Sequence, residues 1–252
     1  MRIATETGLF FMRKMRENLR QPMWVIANLM TPLLYILLFS PLLANIANPP
    51  LSMAGVLNSF VPGILTLLAF SSGMGAGWTM VWELQSGVTE RLRVTPASRF
   101  AMLLGGVLAD IVNFLVPSIL VILISLACGF SVHLLGLVIL LFLLCLLTAM
   151  VSACSSSLGL IFKQISSVAA VVTSLQLPLT LLSGVLLPIS LGPLWLRVVA
   201  HFNPMYYTVE ASRQLAAGTL ASSQTLIAFV VIVPLLALAL WWATRVYQKA
   251  VH

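Results

Sequence analysis

Charged side chains are concentrated in one short stretch, residues 83–99, between two long apolar segments. The stretch holds two of the six acidic residues of the chain and three of its thirteen basic residues, although charged residues make up only 8% of the sequence. Three of its apolar residues recur at every fourth position and would share one face of a short helix: Leu84, Val88 and Leu92. Pro96 disfavours helix at the residue before it. We therefore predict an amphipathic helix over about 83–95, suited to bind a soluble partner, with an ordinary solvated loop as the alternative.

A second group of charges lies near the amino terminus. Leu9, Met12, Met15 and Leu19 recur at helical spacing, and four basic residues lie among them on other faces: Arg13, Lys14, Arg16 and Arg20. Such a pattern is typical of a helix in the headgroup layer, whose charges meet anionic lipid or a protein partner. We predict an interfacial helix over about 8–21; a plain basic anchor for the first span is the alternative.

Composition identifies the class of protein. A chain of 252 residues with 60% hydrophobic residues and a mean hydropathy of +1.08 is not a water-soluble domain. The net charge of +7 comes from basic residues at the ends of apolar segments rather than from one patch, which argues against nucleic-acid binding. Cys128, Cys145 and Cys154 lie within apolar runs with no CxxC and no nearby histidine pair, so we expect neither a disulfide framework nor a metal site.

The apolar runs predict an all-α integral membrane protein with six transmembrane helices: 24–44, 56–82, 102–128, 137–162, 167–187 and 224–244. Ser98 is placed to cap the third span. With both termini inside, Arg197 and Arg213 are the outer basic residues, and the inner ones are Arg2, Arg13, Lys14, Arg16, Arg20, Arg91, Arg93, Arg99, Lys163, Arg245 and Lys249. This asymmetry predicts a multi-pass protein with cytoplasmic termini.

Residues 188–223 are too apolar for a free loop and too broken for a clean span. Asn203 as cap and Pro204 at the first helical position would start a helix there. Glu210 and Arg213 stand three residues apart on that helix and are able to pair. We predict a re-entrant outer hairpin of two short helices over 188–223.

Small and polar residues interrupt the second and third spans. The run of small residues over 71–77 would let another helix approach closely, and we expect Gly75 to lie at that contact. Asp110 is an ionisable group inside a span and therefore a functional candidate. Pairing with Arg99 near the end of the span is the structural interpretation of the same residue.

Together these features resemble the permease subunit of ABC type-2 exporters, over essentially the whole chain. The motifs that carry the resemblance are Arg20-Gln-Pro22, Val61-Pro62-Gly63, the charged stretch from Glu83 to Arg99, Leu187-Pro188 and Asn203-Pro204-x-x-Tyr207-x-x-Glu210-x-x-Arg213. The charged stretch and the last motif are the most specific in combination. The resemblance implies one transmembrane domain of this type over 1–252.

The resemblance also implies the partners. A half-transporter of this kind works as a homodimer or heterodimer, with two copies of a separate ABC ATPase on its inner face, and its amino-terminal basic helix lies against the ATPase. By carry-over, the coupling helix that enters the ATPase includes Glu83, Gly87, Glu90, Arg91, Leu92 and Arg93. The chain has no nucleotide-binding loop, so we expect no enzymatic activity and no cofactor in it. ATP and Mg²⁺ would be bound by the ATPase.

For the cargo, the sequence looks closest to drug-efflux permeases of the daunorubicin-resistance type. Its spans offer mostly Leu, Val, Met, Gly and Ser, whereas a glycan channel needs aromatic platforms and hydrogen-bonding groups. The resemblance thus implies export of hydrophobic or amphipathic compounds across the cytoplasmic membrane of a prokaryote. The path would be lined by Asn28, Phe39, Gln176 and Leu182 if the first and fifth spans form the dimer interface. Export of a lipid-linked glycan or an endogenous lipid, and an ion-coupled carrier, are the alternatives.

Overall fold

The computed structural model of the chain describes residues 2–20, 29–38, 53–87, 98–131, 133–185, 189, 192–219 and 222–249, which contain no β-strand. These residues form nine α-helices: α1 Arg2–Leu19, α2 Leu29–Leu38, α3 Met53–Gln85, α4 Arg99–Ala127, α5 Leu134–Phe162, α6 Ile165–Leu181, α7 Leu194–Ala200, α8 Pro204–Ala216 and α9 Ser223–Lys249. The predicted all-helical fold is therefore confirmed for the described residues.

Four of the described helices are long and apolar enough to cross a membrane: α3, α4, α5 and α9. A span needs about 20 consecutive apolar residues. The predicted fifth span is α6, which has 17 residues. Of the predicted first span, the structure describes α2 and leaves the remaining residues outside the described ranges. The multi-span architecture is thus supported, with four helices that meet the length requirement by themselves.

The core of the bundle is built around α5. This helix packs most extensively against α3 and also contacts α9, α4 and α8. Leu143, Leu144 and Leu147 on α5 are fully buried, and they share one hydrophobic core with Leu57 and Leu65 of α3. Because α5 is apolar on all sides and packs against five other helices, α6 among them, it is the central element of the described fold.

α3 and α5 approach closely where glycines lie at the contact. A Cβ atom on Gly73 would lie 2.8 Å from a side-chain carbon of α5, and one on Gly77 would lie 2.7 Å from the Oγ of Ser155. A Cβ atom on Gly159 of α5 would lie 2.6 Å from the carbonyl oxygen of Gly77. Small residues of α3 therefore pack against another helix, as predicted. The expectation for Gly75 was wrong, because a Cβ atom there would meet no atom within 4 Å.

α3 extends beyond the predicted end of the second span, and Glu83 lies in its last turn. The helix ends at Gln85, followed by Gly87 with φ of +71°, whose N–H donates to the carbonyl oxygen of Leu84 at 3.2 Å. Glycine adopts this left-handed conformation without a steric penalty. The prediction that a separate coupling helix begins at Glu83 was therefore wrong. The rest of that predicted helix, 88–95, lies outside the described residues.

α6 ends at Leu181 rather than at the predicted residue 187. The Oγ of Ser183 donates to the carbonyl oxygen of Thr180 at 2.6 Å, and Gly184 takes φ of +76°. A short polar side chain that binds a terminal carbonyl, followed by a glycine in the left-handed region, ends a helix. Residues 182–185, which were predicted to belong to the fifth span, therefore form a turn directly after α6.

α1 is docked on α4, a contact that the prediction of an interfacial helix did not include. It begins at Arg2 instead of at residue 8. A Cβ atom on Gly105 of α4 would lie 2.6 Å from the Cβ of Phe10, so α1 packs directly onto a glycine surface of α4. The N–H of Ser98 donates to a carboxylate oxygen of Glu6 at 2.8 Å. Ser98 occupies the predicted N-cap position, but its own side chain makes no capping bond. The carboxylate of Glu6 lies at this helix start, where a negative charge is favourable.

Candidate functional site

A cleft lies among α2, α3, α4 and α6. It has a volume of about 530 Å³. Its apolar lining comes from Leu67 and Leu68 of α3 and from Leu177 and Leu181 of α6. Its polar lining comes from Thr31, Tyr35, Ser71, Ser72, Asn113, Thr173, Gln176 and Thr180. An apolar cavity with a small number of polar groups is the usual form of a site for small organic molecules.

A second cavity of about 440 Å³ adjoins the first on the side of α1. Ser71, Ser72, Asn113 and Gln176 line both cavities, so the two together form one cleft along α3 and α6. The α1 side of the cleft is charged, whereas the described lining of the first cavity contains no Asp, Glu, Lys, Arg or His. The cleft is therefore polarised along its length.

Three of the six acidic residues of the chain line the α1 side of the cleft: Glu17, Glu83 and Asp110. Lys14 lies among them, and the indole rings of Trp78 and Trp82 complete this wall. Acidic side chains are scarce in this cationic chain. Their concentration in this cavity makes it more charged than the first one.

Glu83 binds two cations of α1. One of its carboxylate oxygens lies 3.2 Å from Nη2 of Arg13 and 3.9 Å from Nζ of Lys14. The side chain of Glu83 is only 6% exposed, and that of Lys14 is 12% exposed. Burial alone would lower the pKa of the Lys14 amine, but the carboxylates of Asp110 and Glu83 outweigh it and raise the pKa above its ordinary value. Lys14 is thus a buried cation held by two acids from different helices.

Asp110 is buried between α4 and α5. The Oγ of Ser152 on α5 donates to its Oδ2 at 2.6 Å, and Lys14 provides the nearby positive charge. The expected pairing with Arg99 is not what the structure shows for this carboxylate. Because α4 is a continuous helix, residues 99 and 110 are separated by about 16 Å along its axis. Asp110 is therefore hydrogen-bonded to Ser152 and lies in the electrostatic field of Lys14, and the expected pairing with Arg99 was wrong.

The basic residues of α1 separate into two groups. Arg16 and Arg20 are exposed, and Arg13 and Lys14 contact Glu83 inside the bundle. Nearby, the Nδ2 of Asn18 donates to the Oδ1 of Asn113 on α4 at 3.0 Å. The prediction that these charges meet anionic lipid or a protein partner was therefore wrong for Lys14, which is buried against Glu83 of the same chain. Arg13 also pairs with Glu83, and for Arg16 and Arg20 the prediction stays a prediction.

On the side away from α1, the predicted motif around α8 is assembled as the sequence suggested. Asn203 is the N-cap, with its Oδ1 accepting the N–H of Met205 at 3.0 Å, and Pro204 is the first helical residue. Arg213 pairs with Glu210 at 3.3 Å. The hydroxyl of Tyr207 donates to the carbonyl oxygen of His201 at 3.0 Å, which joins α8 to the turn before it.

The predicted path residues have different outcomes. Gln176 lines both cavities of the cleft. Leu182 follows the last turn of α6 and is not among the described lining residues, whereas its neighbour Leu181 is. Asn28 and Phe39 lie outside the described residues, as do the coupling residues Glu90, Arg91, Leu92 and Arg93. Ser71, Ser72 and Asn113 were not predicted as lining residues, although each is a polar residue inside a long apolar run.

Comparison with known proteins is consistent with these features. The family model described as "ABC-2 type transporter" matches residues 5–217. The chain is 28% identical over 203 residues to the ycf38 transport permease of Cyanophora paradoxa, covering 77% of this chain and 68% of that protein. It is 25% identical over 218 residues to the daunorubicin resistance ABC transporter permease protein DrrB1 of Streptomyces coeruleorubidus, covering 86% and 76%. The ycf38 transport permease of Porphyra purpurea is 26% identical over 221 residues.

Proposed function

The chain belongs to the ABC-2 type transporter family, and on this basis we propose that it is the transmembrane permease subunit of an ATP-driven exporter. Its relatives named above are also permeases. The cleft along α3 and α6 is the proposed path of the cargo. It is the feature of the described fold that combines a cavity of molecular size with helices able to cross a membrane.

The proposed cargo is a hydrophobic or amphipathic compound. The single observation that carries this is the polarity of the cleft, which is charged beside α1 and mainly apolar between α2 and α6. Such a cavity complements a molecule with a polar head and an apolar body. The name of DrrB1 refers to daunorubicin resistance, and drug efflux is accordingly the proposed biological task. Export of an endogenous lipid would use the same chemistry.

The energy source in this proposal is a separate ABC ATPase in two copies, which binds ATP and Mg²⁺. Its contact is the segment from Gly87 to Arg93, including Glu90 and Arg91. α3 lines the cleft and ends directly before this segment, so a movement of the segment would be transmitted along a continuous helix. Closure of the ATPase would rock the helices as rigid bodies and open the cleft outward.

A second permease copy, identical or related, completes the proposed transporter. The helices α2 and α6 present exposed apolar side chains beside the cleft, among them Leu37, Leu38, Leu177 and Leu181, of which the last two also line it. Because these faces border the cleft, a second copy placed there would close it from the side. The transporter would then contain a path between two clefts related by symmetry.

The proposed orientation places α1 and both termini on the cytoplasmic side of a prokaryotic cytoplasmic membrane. The distribution of basic residues supports this orientation. α7 and α8 would then form the re-entrant outer hairpin. Exposed Trp195 and Phe202 give this hairpin an apolar surface suited to the outer lipid interface.

The first experiment is gentle purification of the tagged chain from its native membrane. We expect an ATPase subunit with a nucleotide-binding loop to copurify in equal amount, and the complex in vesicles to show ATP-dependent transport of a fluorescent amphiphile. Isolation of a stable chain without an ATPase would contradict the exporter and favour a carrier. Transport driven by an ion gradient in the absence of ATP would identify that carrier directly.

Replacement of Glu90 and Arg91 by alanine tests the coupling segment. We expect the double variant to insert and fold normally, because both residues lie outside the predicted apolar spans, but to lose the coupling of transport to ATP hydrolysis. The measurement is the ratio of transported amphiphile to hydrolysed ATP in vesicles. Unchanged transport at normal expression would remove these residues from the coupling contact.

A further inference from the structure

We propose that Asn203 and Arg213 fasten the end of α6 to α8, so that the two helices move as one body and set the width of the cleft on the side away from α1. The inference rests on the proposed function only in treating the cleft as the transport path. Asn203 and Arg213 are positioning residues in this proposal, since neither is among the described residues that line the cleft.

α6 has few apolar contacts that could hold it in place. Its fully buried residues are Val168 and Val172, both in the half of the helix near α1, and in the other half the partly buried Leu179 packs against the core. The other half supplies Gln176, Leu177 and Leu181 to the wall of the cleft. Pro178 interrupts the hydrogen bonding of this half and permits the helix to bend. The position of the wall therefore depends on what binds the end of α6.

Asn203 binds two helix ends with one side chain. Its Oδ1 accepts the N–H of Met205 at the start of α8, and its Nδ2 donates to the carbonyl oxygen of Leu179 near the end of α6 at 2.7 Å. The last carbonyls of a helix lack partners within it. The N–H of Ser183, which stands in position to bind Leu179, donates to Thr180 instead. Because Asn203 is 3% exposed, water does not replace this bond.

Arg213 makes a second connection to the same segment. Its Nη2 donates to the carbonyl oxygen of Gly184 at 2.7 Å and to that of Val185 at 3.5 Å. Its Nη1 pairs with Glu210 on α8, and its Nε donates to the carbonyl oxygen of Ser59 on α3 at 3.4 Å. The guanidinium thus joins α8, α3 and the turn after α6, which uses the fixed fork geometry of arginine.

These two connections explain the distance between Asn203 and Arg213 in the sequence. Asn203 stands before the first turn of α8 and Arg213 in its last turn, so α8 holds the backbone of residues 179–185 at two points. All three acceptors are backbone carbonyls. The contact between α8 and the end of α6 therefore uses no side chain of α6, and these side chains can form the wall of the cleft.

The substitution Asn203→Ser separates the fastening from the helix cap. Serine is a good N-cap residue, so it retains the acceptor for α8, but it lacks the amide donor to Leu179. We expect hydrogen–deuterium exchange of the purified permease to become about five- to tenfold faster at Leu182 and Ser183, and to stay unchanged at Met205. Asn203→Ala removes both bonds and should accelerate exchange at all three amides. Unchanged exchange at Leu182 and Ser183 in the serine variant would overturn the proposal.

Transport measurements then test the positioning role. In vesicles with the copurified ATPase, Asn203→Ser should assemble normally and hydrolyse ATP at the basal rate, but transport the amphiphile about tenfold more slowly. Tyr207→Phe is the matched control, because it removes a hydrogen bond of the same motif that does not reach α6. Equal transport by the serine variant and the wild type would show that Asn203 acts only as a cap.

Arg213→Lys provides a second test if the variants of Asn203 fold poorly. Lysine retains the charge opposite Glu210 but cannot bind Ser59 and Gly184 at the same time. We expect the same acceleration of exchange at Leu182 and Ser183, and its absence would count against the proposal. The exchange readout needs no ATPase and no cargo. Failure of the exporter assignment would therefore leave the exchange result intact, and failure of the fastening would leave the assignment intact.

Discussion

Lys14 is the residue with the most unusual surroundings in the described structure. Its ammonium group is buried beside Glu83 of α3 and Asp110 of α4. Removal of one member of a buried ion-pair cluster leaves the opposite charge without a partner, which is costly. Replacement of the whole pair by neutral groups of similar size is much less so. This asymmetry gives a test of whether Lys14 holds α1 to the bundle.

The substitution Lys14→Met keeps most of the side-chain volume and removes the charge. We expect it to destabilise the folded protein by about 3 kcal/mol, measured as a lower midpoint of thermal unfolding in detergent. Arg16→Met is the control, because Arg16 is exposed on the same helix and its replacement should change stability by less than about 0.5 kcal/mol.

A double variant shows whether Lys14→Met loses stability because a charge is left unpaired or because the shape of the side chain has changed. Lys14→Met combined with Asp110→Asn removes a cation and an acid together. We expect this double variant to be more stable than Lys14→Met alone, because one buried charge less is left unpaired. If the double variant instead loses as much stability as Lys14→Met and Asp110→Asn lose in sum, the two charges do not interact.

The sequence indicated an amphipathic helix at the amino terminus but not which of its cations is buried. Lys14 lies at helical spacing with Thr7, Phe10 and Asn18, and this is the face of α1 that contacts the bundle. The position of a lysine among apolar and uncharged polar residues does not show where its charge lies, since its flexible stem can equally extend the ammonium group to the headgroups. Its partners lie far away along the chain, so local periodicity could not resolve the choice.

At the scale of elements, the contact between α3 and α5 depends on individual glycines. Gly77 and Gly75 are two residues apart and share the same local sequence, but they lie on different faces of α3. Gly77 contacts Ser155 and Gly159 of α5, whereas Gly75 lines the charged side of the cleft. The pair therefore offers a matched comparison of a packing glycine with a lining glycine.

Alanine at Gly77 and alanine at Gly75 should have opposite effects. Gly77→Ala places a Cβ atom 2.7 Å from the Oγ of Ser155, and we expect a loss of about 1–3 kcal/mol from overpacking. Gly75→Ala meets no atom within 4 Å and should stabilise the helix by up to about 1 kcal/mol. The midpoints of thermal unfolding check both signs. A tolerated alanine at Gly77 would contradict the close packing of α3 and α5.

The positions of the long helices were predictable from hydropathy, but two of their ends were not. α4, α5 and α9 lie within a few residues of the predicted spans. α3 runs into the charged stretch because Glu83 is neutralised by Arg13 and Lys14, which a hydropathy pattern does not contain. α6 stops early because of the turn at Ser183 and Gly184. Both deviations arise from specific hydrogen bonds or ion pairs rather than from apolar content.

In the molecule as a whole, cargo that follows the proposed path has to pass the junction between the two cavities. Gln176 lies there on α6, and its neighbour Leu175 is exposed and not among the described lining residues. Gln176→Trp should obstruct the cleft and reduce transport of a fluorescent amphiphile at least about tenfold, at normal assembly with the ATPase. Leu175→Trp adds the same ring outside the cleft and should transport at the wild-type rate. Equal rates in the two variants would show that cargo does not pass Gln176.

The existence of a cleft could not be derived from the sequence, because its walls come from four helices that are distant along the chain. Gln176 was identified because a polar side chain in an apolar run is conspicuous, and Asn113 and the pair Ser71 and Ser72 carry the same signal. Leu182 carries no such signal, and its predicted role depended on the assumed length of α6. Polar residues inside spans are thus better indicators of this cleft than apolar ones.

The burial of Lys14 has a consequence for how the protein is made. Lys14 leaves the ribosome before Glu83 and Asp110, so α1 is complete while both of its acidic partners are still unsynthesised. During that interval its ammonium group is solvated, and we expect it to act with the neighbouring arginines as a basic signal that retains the amino terminus on the side of synthesis. After the helix that carries Asp110 has inserted, the same charge is withdrawn into the bundle. One residue thus serves first in membrane insertion and then in the folded protein, and we expect α1 to dock only after α4 has been synthesised.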